Sequence, residues 1–319
     1  MRILDGGAVQ VPNVSVIMNC FNSSKFLRQA IDSVFAQSYK DWEIIFWDNA
    51  STDSSAEIAK GYDSRLRYFR GDKTVPLYAA RNLALKEAKG KYIAVLDCDD
   101  LWLRQKLEWQ VPLFENEKIG LVYSNVEILD DNDNARAWYV SNNQPSGKIF
   151  AQLLRHYHIN LQTVMLSRMA LDSLTHWFDD SLSTSGDGDL FLRIAHDWDI
   201  QYLPQITARY REHAGSTSSR YPEFFIKESE YLINKLSKLY DNFDNENRLE
   251  ITAFRARVQK GFIYNKWKNG NNAEARKLAL QHLLNVRAIA ALYIFSFFPF
   301  PLMNYLRNLN PIRLWRKLK

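Results

Sequence analysis

The sequence is 319 residues long, with 46% hydrophobic and 24% charged residues. These proportions are ordinary for a globular protein and exclude a disordered, collagen-like or coiled-coil chain. The two cysteines, Cys20 and Cys98, and the six scattered histidines offer neither a disulfide framework nor the paired ligand spacing of a zinc site. A reducing compartment is therefore expected.

The net charge is concentrated at the C-terminus. The chain has 41 Lys+Arg and 36 Asp+Glu, which gives +5, and residues 307–319 hold five basic residues and no acidic one. Because this segment accounts for the whole excess, we predict a local basic tail that meets an anionic partner, and no nucleic-acid surface. Residues 1–13 lack the apolar core of a signal peptide, so export is not expected.

Short apolar strands alternate with amphipathic helices through the first half of the chain. Strands are predicted at residues 14–18, 42–47, 66–69, 92–96 and 120–123. Helices are predicted at residues 25–37, 79–88 and 106–116. A further helix is predicted to end at residue 60 and to have its N-cap among residues 51–53. This alternation predicts an α/β fold with a mainly parallel sheet flanked by helices. Ligands of such sheets bind where the strands end, which directs attention to residues 19–24, 48–53, 97–100 and 124–125.

A different pattern begins near residue 221. Helical periodicity without intervening strands covers residues 224–240, 250–266 and 273–284, with a turn at 269–272. We therefore predict two domains, a ligand-binding and catalytic domain at 1–220 and a helical region with an apolar and basic tail at 221–319.

The most informative motif is Asp97-Cys98-Asp99-Asp100, which follows a predicted strand. Alternating carboxylates at such a point can bind a hard divalent cation, and such a cation neutralises a diphosphate. The alternative is that these acids merely end the strand and cap the next helix. A match this short does not decide between the two interpretations by itself.

Other motifs accompany this one in order and at compact spacing. They are Val14–Asn22, Ala30–Gln37, Trp42–Asp53, Ala80–Asn82, Gly90–Asp100, Ser185–Arg193 and Tyr210–Ser218. Together they resemble the family-2 glycosyltransferases, which have the Rossmann-like GT-A fold. The resemblance extends over residues 13–219.

The resemblance implies a nucleotide-sugar site at the ends of the first two strands. Asn19 and Phe21 match positions beside the nucleotide base, with Phe21 as a stacking ring. Asp48 and Asn49 match an acidic pair that hydrogen-bonds base or ribose. In this chain Asn49 stands in place of the second acid of that pair. Because an amide donates and accepts whereas a carboxylate only accepts, bases other than uracil remain alternatives.

The resemblance also implies the partners of the phosphates and a metal. Arg81 and Asn82 match residues near the base and phosphates, and Asp97 matches the acid on the ribose or metal side. Asp99 matches the acid that holds Mn²⁺ or Mg²⁺ against the diphosphate.

A base for the acceptor is expected at the start of a helix. Ser185-Gly186-Asp187-Gly188-Asp189 opens a helical run, and the alternative is a plain N-terminus whose acids the helix dipole favours. The resemblance implies Glu-Asp here, with the Asp as general base, so Asp187 is the predicted base and Gly186 replaces the Glu. Asp189 is a possible substitute. The base would take the proton of an acceptor hydroxyl, and attack opposite the diphosphate inverts the anomeric configuration.

The motif Tyr210–His213 supplies a third candidate group. Arg211 and His213 can donate to phosphate oxygens, and the resemblance implies that His213 touches the metal or the diphosphate. The alternative is a satisfied surface histidine. The other histidines are interpreted as structural: His156, His158, His176, His196 and His282.

The tail contains an uncharged stretch at residues 288–306. Its length is borderline for a membrane span, and Pro299 and Pro301 interrupt it. We favour an anchor in the cytoplasmic face of a membrane over a hydrophobic hairpin that packs on the catalytic domain or in a dimer interface.

Together these features predict an inverting, metal-dependent glycosyltransferase. The expected donor is a UDP-sugar, with dTDP- and GDP-sugars as alternatives, and the acceptor is a glycan or lipid-linked glycan of a cell-surface polysaccharide. The enzyme is expected at the inner face of the cell membrane. The alternatives are a non-catalytic, membrane-attached sugar-nucleotide-binding protein and a nucleotidyltransferase, although the latter lacks its Gly-rich loop. No dehydrogenase Gly-x-Gly-x-x-Gly or hydrolase Gly-x-Ser-x-Gly motif occurs.

Overall fold

The computed structural model describes residues 11–129, 135–137, 143–212, 222–282 and 293–300. The chain divides into two compact units, one made of Met1–Leu153 with Tyr157–Ser216 and the other of Leu154–His156 with Thr217–Lys319. The division of roles predicted for 1–220 and 221–319 stays a prediction.

The first unit is built on a sheet. Its strands are β1 Val14–Cys20, β2 Trp42–Asp48, β3 Leu66–Arg70, β4 Tyr92–Val95, β5 Leu101–Trp102, β6 Ile119–Leu129, β7 Ala135–Ala137, β8 Met165–Ser167 and β9 Asp199–Arg211. Among the described residues these form one nine-stranded sheet in the order β3-β2-β1-β4-β8-β6-β9-β5, with β7 paired to β6. The helices around it are α1 Ser24–Phe35, α2 Ser55–Lys60, α3 Leu77–Glu87, α4 Lys106–Gln110, α5 Phe150–Arg155, α6 Arg168–Asp172 and α7 Gly186–Asp197.

The predicted α/β class is confirmed, and the predicted parallel pairing holds for the first four strands. β1 pairs in parallel with β2 and β4, and β2 pairs in parallel with β3. β1 and β2 are almost wholly buried, as expected for strands covered on both faces. The rest of the sheet is mixed rather than parallel, because β8 runs antiparallel to both β4 and β6.

Two predicted elements differ from the structure for identifiable reasons. The helix predicted at 106–116 ends at Gln110 and continues as a 3₁₀ turn, Val111–Glu115, because Pro112 has no N–H to donate. The strand predicted at 120–123 continues to Leu129. Its polar Ser124 is buried but satisfied by a hydroxyl–hydroxyl hydrogen bond to Thr207, so the polar residue does not end the strand.

The second unit is helical, as predicted. Its helices are α8 Pro222–Leu239, α9 Phe243–Glu246, α10 Arg248–Lys268 and α11 Asn272–His282. Gly270 has φ +83° in the turn between the last two, a conformation that glycine adopts without strain. The buried Trp267 anchors a small core and stacks on Phe295.

Most of the predicted apolar stretch 288–306 lies outside the described residues. Its described part, residues 293–300, packs on Trp267, whose indole N–H donates to the Phe298 carbonyl at 2.8 Å. Within the described ranges, no helix combines the length and the apolar character that crossing a membrane requires.

Candidate active site

The predicted donor residues lie together at the carboxyl edge of the parallel strands. The register aligns Cys20 of β1 with Asp48 of β2, and the Cys98 thiol donates to the Asn19 carbonyl at 3.2 Å. The ends of β1, β2 and β4 are therefore adjacent, as expected for neighbouring parallel strands.

The end of β1 carries two side chains suited to a ligand. The Asn19 amide is buried, and neither its nitrogen nor its oxygen has a hydrogen-bond partner among the described residues. A buried polar group without a partner is costly, so a bound molecule that engages this amide would relieve that cost. The Phe21 ring beside it is 50% exposed, which leaves a face open for stacking.

Asp48 is fully buried at the end of β2 and held as a carboxylate. Its Oδ2 accepts from the Tyr68 hydroxyl and the Arg70 guanidinium, each at 2.5 Å, and its Oδ1 accepts from the Ser51 N–H at 2.7 Å. Burial alone would raise its pKa, but the hydrogen bonds from Tyr68 and Ser51 and the charge of Arg70 outweigh it, and the pKa is lowered.

Two predicted amide residues hold loops in place. Asn49 donates to the Val75 carbonyl at 2.8 Å and accepts from the Val75 N–H at 3.1 Å. Asn82 does the same with Phe178, at 2.8 and 3.0 Å. Both ends of each amide are therefore engaged by backbone, and the predicted contacts of Asn49 and Asn82 with a nucleotide stay predictions.

Asp97 is clamped by two side chains. Its Oδ1 accepts from the Arg81 guanidinium and its Oδ2 from the Gln162 amide, each at 2.7 Å, while the Gln162 oxygen accepts from the Asp97 N–H at 2.9 Å. Arg81 is buried, and its Nε has no partner among the described residues. Sequence reasoning missed Gln162, because no motif marks it.

Buried groups hold Gln162 where it can reach Asp97. It lies in a 3₁₀ turn, Leu161–Thr163, whose carbonyls accept from the Trp102 indole at 2.9 Å and the Lys106 ammonium at 2.8 Å. Burial lowers the pKa of Lys106 well below its ordinary value. The acidic turn, Asp97–Asp100, is thus supported by a polar network in the interior.

Arg211 joins the end of β9 to the acidic turn. Its N–H donates to Asp100 Oδ1 at 2.8 Å, its guanidinium donates to the Asp99 carbonyl at 3.2 Å, and that guanidinium lies 4.3 Å from the Phe26 ring centroid. Asp100 is buried, and burial and the charges of its acidic neighbours raise its pKa. Asp99 is half-buried, whereas His213, its predicted companion at the metal, lies outside the described residues.

Asp187 lies in the first turn of α7, between two phenols. The Tyr78 hydroxyl is 3.5 Å from its Oδ1 and the Tyr157 hydroxyl is 3.4 Å from its Oδ2. Burial raises the pKa of Asp187, and the positive charge of Arg81 opposes the rise. Because Arg81 also binds Asp97, the predicted base and the acidic turn face the same region of the molecule.

Asp189, the possible substitute base, lies in the buried interior of the first unit. It is fully buried and forms an ion pair with Arg193 at 2.6 Å, and Arg193 also donates to the carbonyls of His176 and Trp177. One oxygen or nitrogen of each of His176, Asp179 and Asp189 lies within 4.8 Å of the others. Such a group could hold a cation, although Arg193 already neutralises Asp189.

Comparison with known proteins gives a family match and several relatives. The family model described as glycosyl transferase family 2 matches residues 15–174. The Escherichia coli protein named UDP-Glc:alpha-D-GlcNAc-diphosphoundecaprenol beta-1,3-glucosyltransferase WfgD is 31% identical over 209 residues, which cover 65% of this chain and 79% of the relative.

Solved structures share the fold. The crystal structure of S. aureus TarS 1-349 in complex with UDP-GlcNAc superposes with a TM-score of 0.57 at 17% identity, over 89% of each chain. The mannosyltransferase PcManGT from Pyrobaculum calidifontis, in complex with GDP-Man and Mn²⁺, superposes with a TM-score of 0.59 at 17% identity, over 97% of this chain and 84% of that one. At these identities the likeness concerns the fold alone.

Proposed function

This chain belongs to glycosyl transferase family 2, and from that premise we propose that it moves a sugar, with inversion, from a nucleotide-diphosphate donor to a glycan or lipid-linked glycan hydroxyl. The product would belong to a cell-surface polysaccharide. The observation that carries the proposal is the position of Arg81, which binds the donor-side acid Asp97 and places its charge near Asp187. We expect the donor site and a separate base to lie on either side of this guanidinium.

The donor would bind at the ends of β1 and β2. The amide of Asn19, which has no hydrogen-bond partner in the described part of the chain, and the exposed ring of Phe21 suit a base that needs both a hydrogen-bond partner and a stacking surface. A UDP-sugar is the first expectation, in keeping with the donor in the name of WfgD. The structural relative with GDP-Man keeps a purine base as an alternative.

A divalent metal, Mn²⁺ or Mg²⁺, would be held by Asp99. Both oxygens of Asp97 are engaged by Arg81 and Gln162, and Asp99 lies half-exposed on the same turn. A carboxylate is the ligand type that such hard cations prefer. When bound, the metal supplies positive charge against the diphosphate, and Arg211 adds a second positive charge at the same turn.

Asp187 would act as the general base. A carboxylate whose pKa is raised by burial takes a proton more readily than an ordinary one. In its ionised form it would accept the proton of the acceptor hydroxyl while that oxygen attacks the anomeric carbon. The bond from that carbon to the diphosphate breaks on the opposite side, so the configuration inverts.

The proposal is tested by Asp187→Asn in an assay of sugar transfer from UDP-sugars. Transfer should fall about a hundredfold or more, because the amide cannot take the proton, while UDP-sugar binding measured by calorimetry persists. Asp197→Asn, at the other end of α7 and exposed, is the matched control and should transfer normally. Undiminished transfer by Asp187→Asn would reject its role as base.

The second candidate is a sugar-nucleotide-binding protein without catalysis, which the glycine at position 186 favours, since the resemblance implies an acid there. If this second function is correct, the unaltered protein binds a UDP-sugar and never releases UDP, with or without acceptor. The same two assays therefore separate the candidates.

The proposed location is the inner face of the cell membrane. In the second unit Ile294, Phe297 and Phe298 are exposed among the described residues, and Arg276 lies 4.9 Å from the Phe297 ring centroid. Apolar side chains beside basic ones suit a surface of anionic lipid, and a lipid-linked acceptor would require that placement.

A further inference from the structure

We propose that Tyr78 fills the space beside residue 186 and, together with Tyr157, acts as a positioning residue for the Asp187 carboxylate. The inference rests on the proposed function, because it concerns the group that would serve as base. It accounts for three features of the start of α7 at once: the glycine at 186, the acid at 187 and the aromatic side chains packed around them.

The glycine at position 186 is required by the Tyr78 ring. A Cβ at this position would lie 2.6 Å from one ring carbon of Tyr78 and 2.7 Å from two others, closer than carbon atoms can approach. By contrast, a Cβ at Gly188 would lie 3.6 Å from the Tyr157 ring, its nearest neighbour among the described residues, which is ordinary contact. Position 186 therefore admits no side chain while the ring is in place.

The ring cannot easily move aside. Tyr78 is 3% exposed and stacks on Phe178, with centroids 5.5 Å apart and planes 21° from parallel. The Arg81 guanidinium lies 5.4 Å from the Tyr78 centroid and 5.6 Å from that of Phe178, and it is itself fixed by Asp97. Close packing of this kind resists a shift of the ring.

This fixed ring directs a hydroxyl to the Asp187 carboxylate. The Tyr78 hydroxyl faces Oδ1 at 3.5 Å and the Tyr157 hydroxyl faces Oδ2 at 3.4 Å, so each oxygen has one phenol beside it. These separations are at the outer limit of a hydrogen bond, and such contacts commonly tighten when substrate binds. A carboxylate held at both oxygens cannot rotate away from an incoming hydroxyl, which favours the reactive geometry.

Removing the hydroxyl alone tests the positioning role. Tyr78→Phe keeps the ring and its packing, so the melting temperature and the KM for the UDP-sugar should stay unchanged. kcat should fall roughly fivefold to tenfold, which corresponds to the loss of one ordinary hydrogen bond. Tyr157→Phe should act in the same direction. Tyr62→Phe is the matched control, because it removes a phenol–carboxylate bond of 2.7 Å to Asp32 on the surface, and its kcat should equal that of the unaltered enzyme.

A stability cycle tests the packing without any assay of activity. Gly186→Ala should lower the melting temperature by roughly 5 °C, whereas Gly188→Ala should not lower it. In a Tyr78→Ala background, Gly186→Ala should cost little, because the clash is gone. If Gly186→Ala fails to fold, folding of the double variant as well as Tyr78→Ala supports the inference, and its failure to fold overturns it.

The outcomes separate the two levels of the proposal. A protein that transfers sugar, but whose Tyr78→Phe variant keeps full kcat, overturns the positioning role and leaves the proposed function standing. An equal loss of stability from Gly186→Ala with and without Tyr78 overturns the packing argument. Absence of transfer by the unaltered protein overturns the proposed function itself.

Discussion

At the scale of single residues, the carboxylates of the candidate site lie in three different environments. The hydrogen-bond donors around Asp48 stabilise its ionised form. Asp97 is held by Arg81 and Gln162, and Asp187 is half-buried beside two phenols. The same functional group thus fixes a loop at Asp48, supports a turn at Asp97 and is proposed to accept a proton at Asp187. The neighbours of each carboxylate, rather than its residue type, determine its role.

The pH dependence of transfer should report the environment of Asp187. As base it must be ionised, and burial raises its pKa, so kcat should fall as the pH drops through a value above the ordinary carboxyl range of about 4. Activity is then present above that raised pKa and lost below it. A pH series of kcat at saturating donor checks this.

The control for the pH series is Asp197→Asn, which should leave the acidic limb unchanged. A limb that lies at or below the ordinary carboxyl pKa would contradict the description of Asp187, because it would mean that Arg81 and the phenols outweigh burial.

At the scale of elements, the parallel half of the sheet and the first part of β6 could be predicted from sequence, whereas β8 and β9 could not. β1, β2 and β4 are continuous apolar runs bounded by turns, and their ends placed Asn19, Asp48 and the acidic turn correctly at one edge. β8 has only three residues, too few to show a period. β9 contains Pro204 where its register to β6 shifts, and a proline within a run argues against a strand.

The site could be predicted from sequence only where a motif reports a local feature. Asp187 was predicted because the resemblance implies an acid there, in the first turn of a recognisable helix. Gln162, Tyr78 and Tyr157 were not, because their roles come from contacts across 65, 109 and 30 residues of chain. His176 was interpreted as structural, so the group that it forms with Asp179 and Asp189 was not predicted. Long-range packing leaves no period or spacing in a single sequence.

At the scale of the whole molecule, the helical second unit should carry membrane attachment. Ile294→Ser with Phe298→Ser should weaken binding to vesicles that contain anionic phospholipid about tenfold, because two exposed apolar side chains no longer enter the lipid. Co-sedimentation with anionic and with neutral vesicles measures the effect.

Leu249→Ser is the matched control for the vesicle experiment, since Leu249 is exposed in the same unit, at the start of α10. It should bind like the unaltered protein. Equal binding by all three proteins would reject residues 293–300 as the attachment site.

In the whole molecule, one carboxylate is proposed to serve the donor and another to serve the acceptor. The most direct measurement is calorimetric titration of a UDP-sugar, with and without Mn²⁺, into the Asp99→Ala and Asp187→Asn variants. Asp99→Ala should lose the metal-dependent part of the affinity, and Asp187→Asn should keep the full affinity while failing to transfer. Unchanged metal dependence in Asp99→Ala, or lost donor binding in Asp187→Asn, would contradict this division of roles between the two carboxylates.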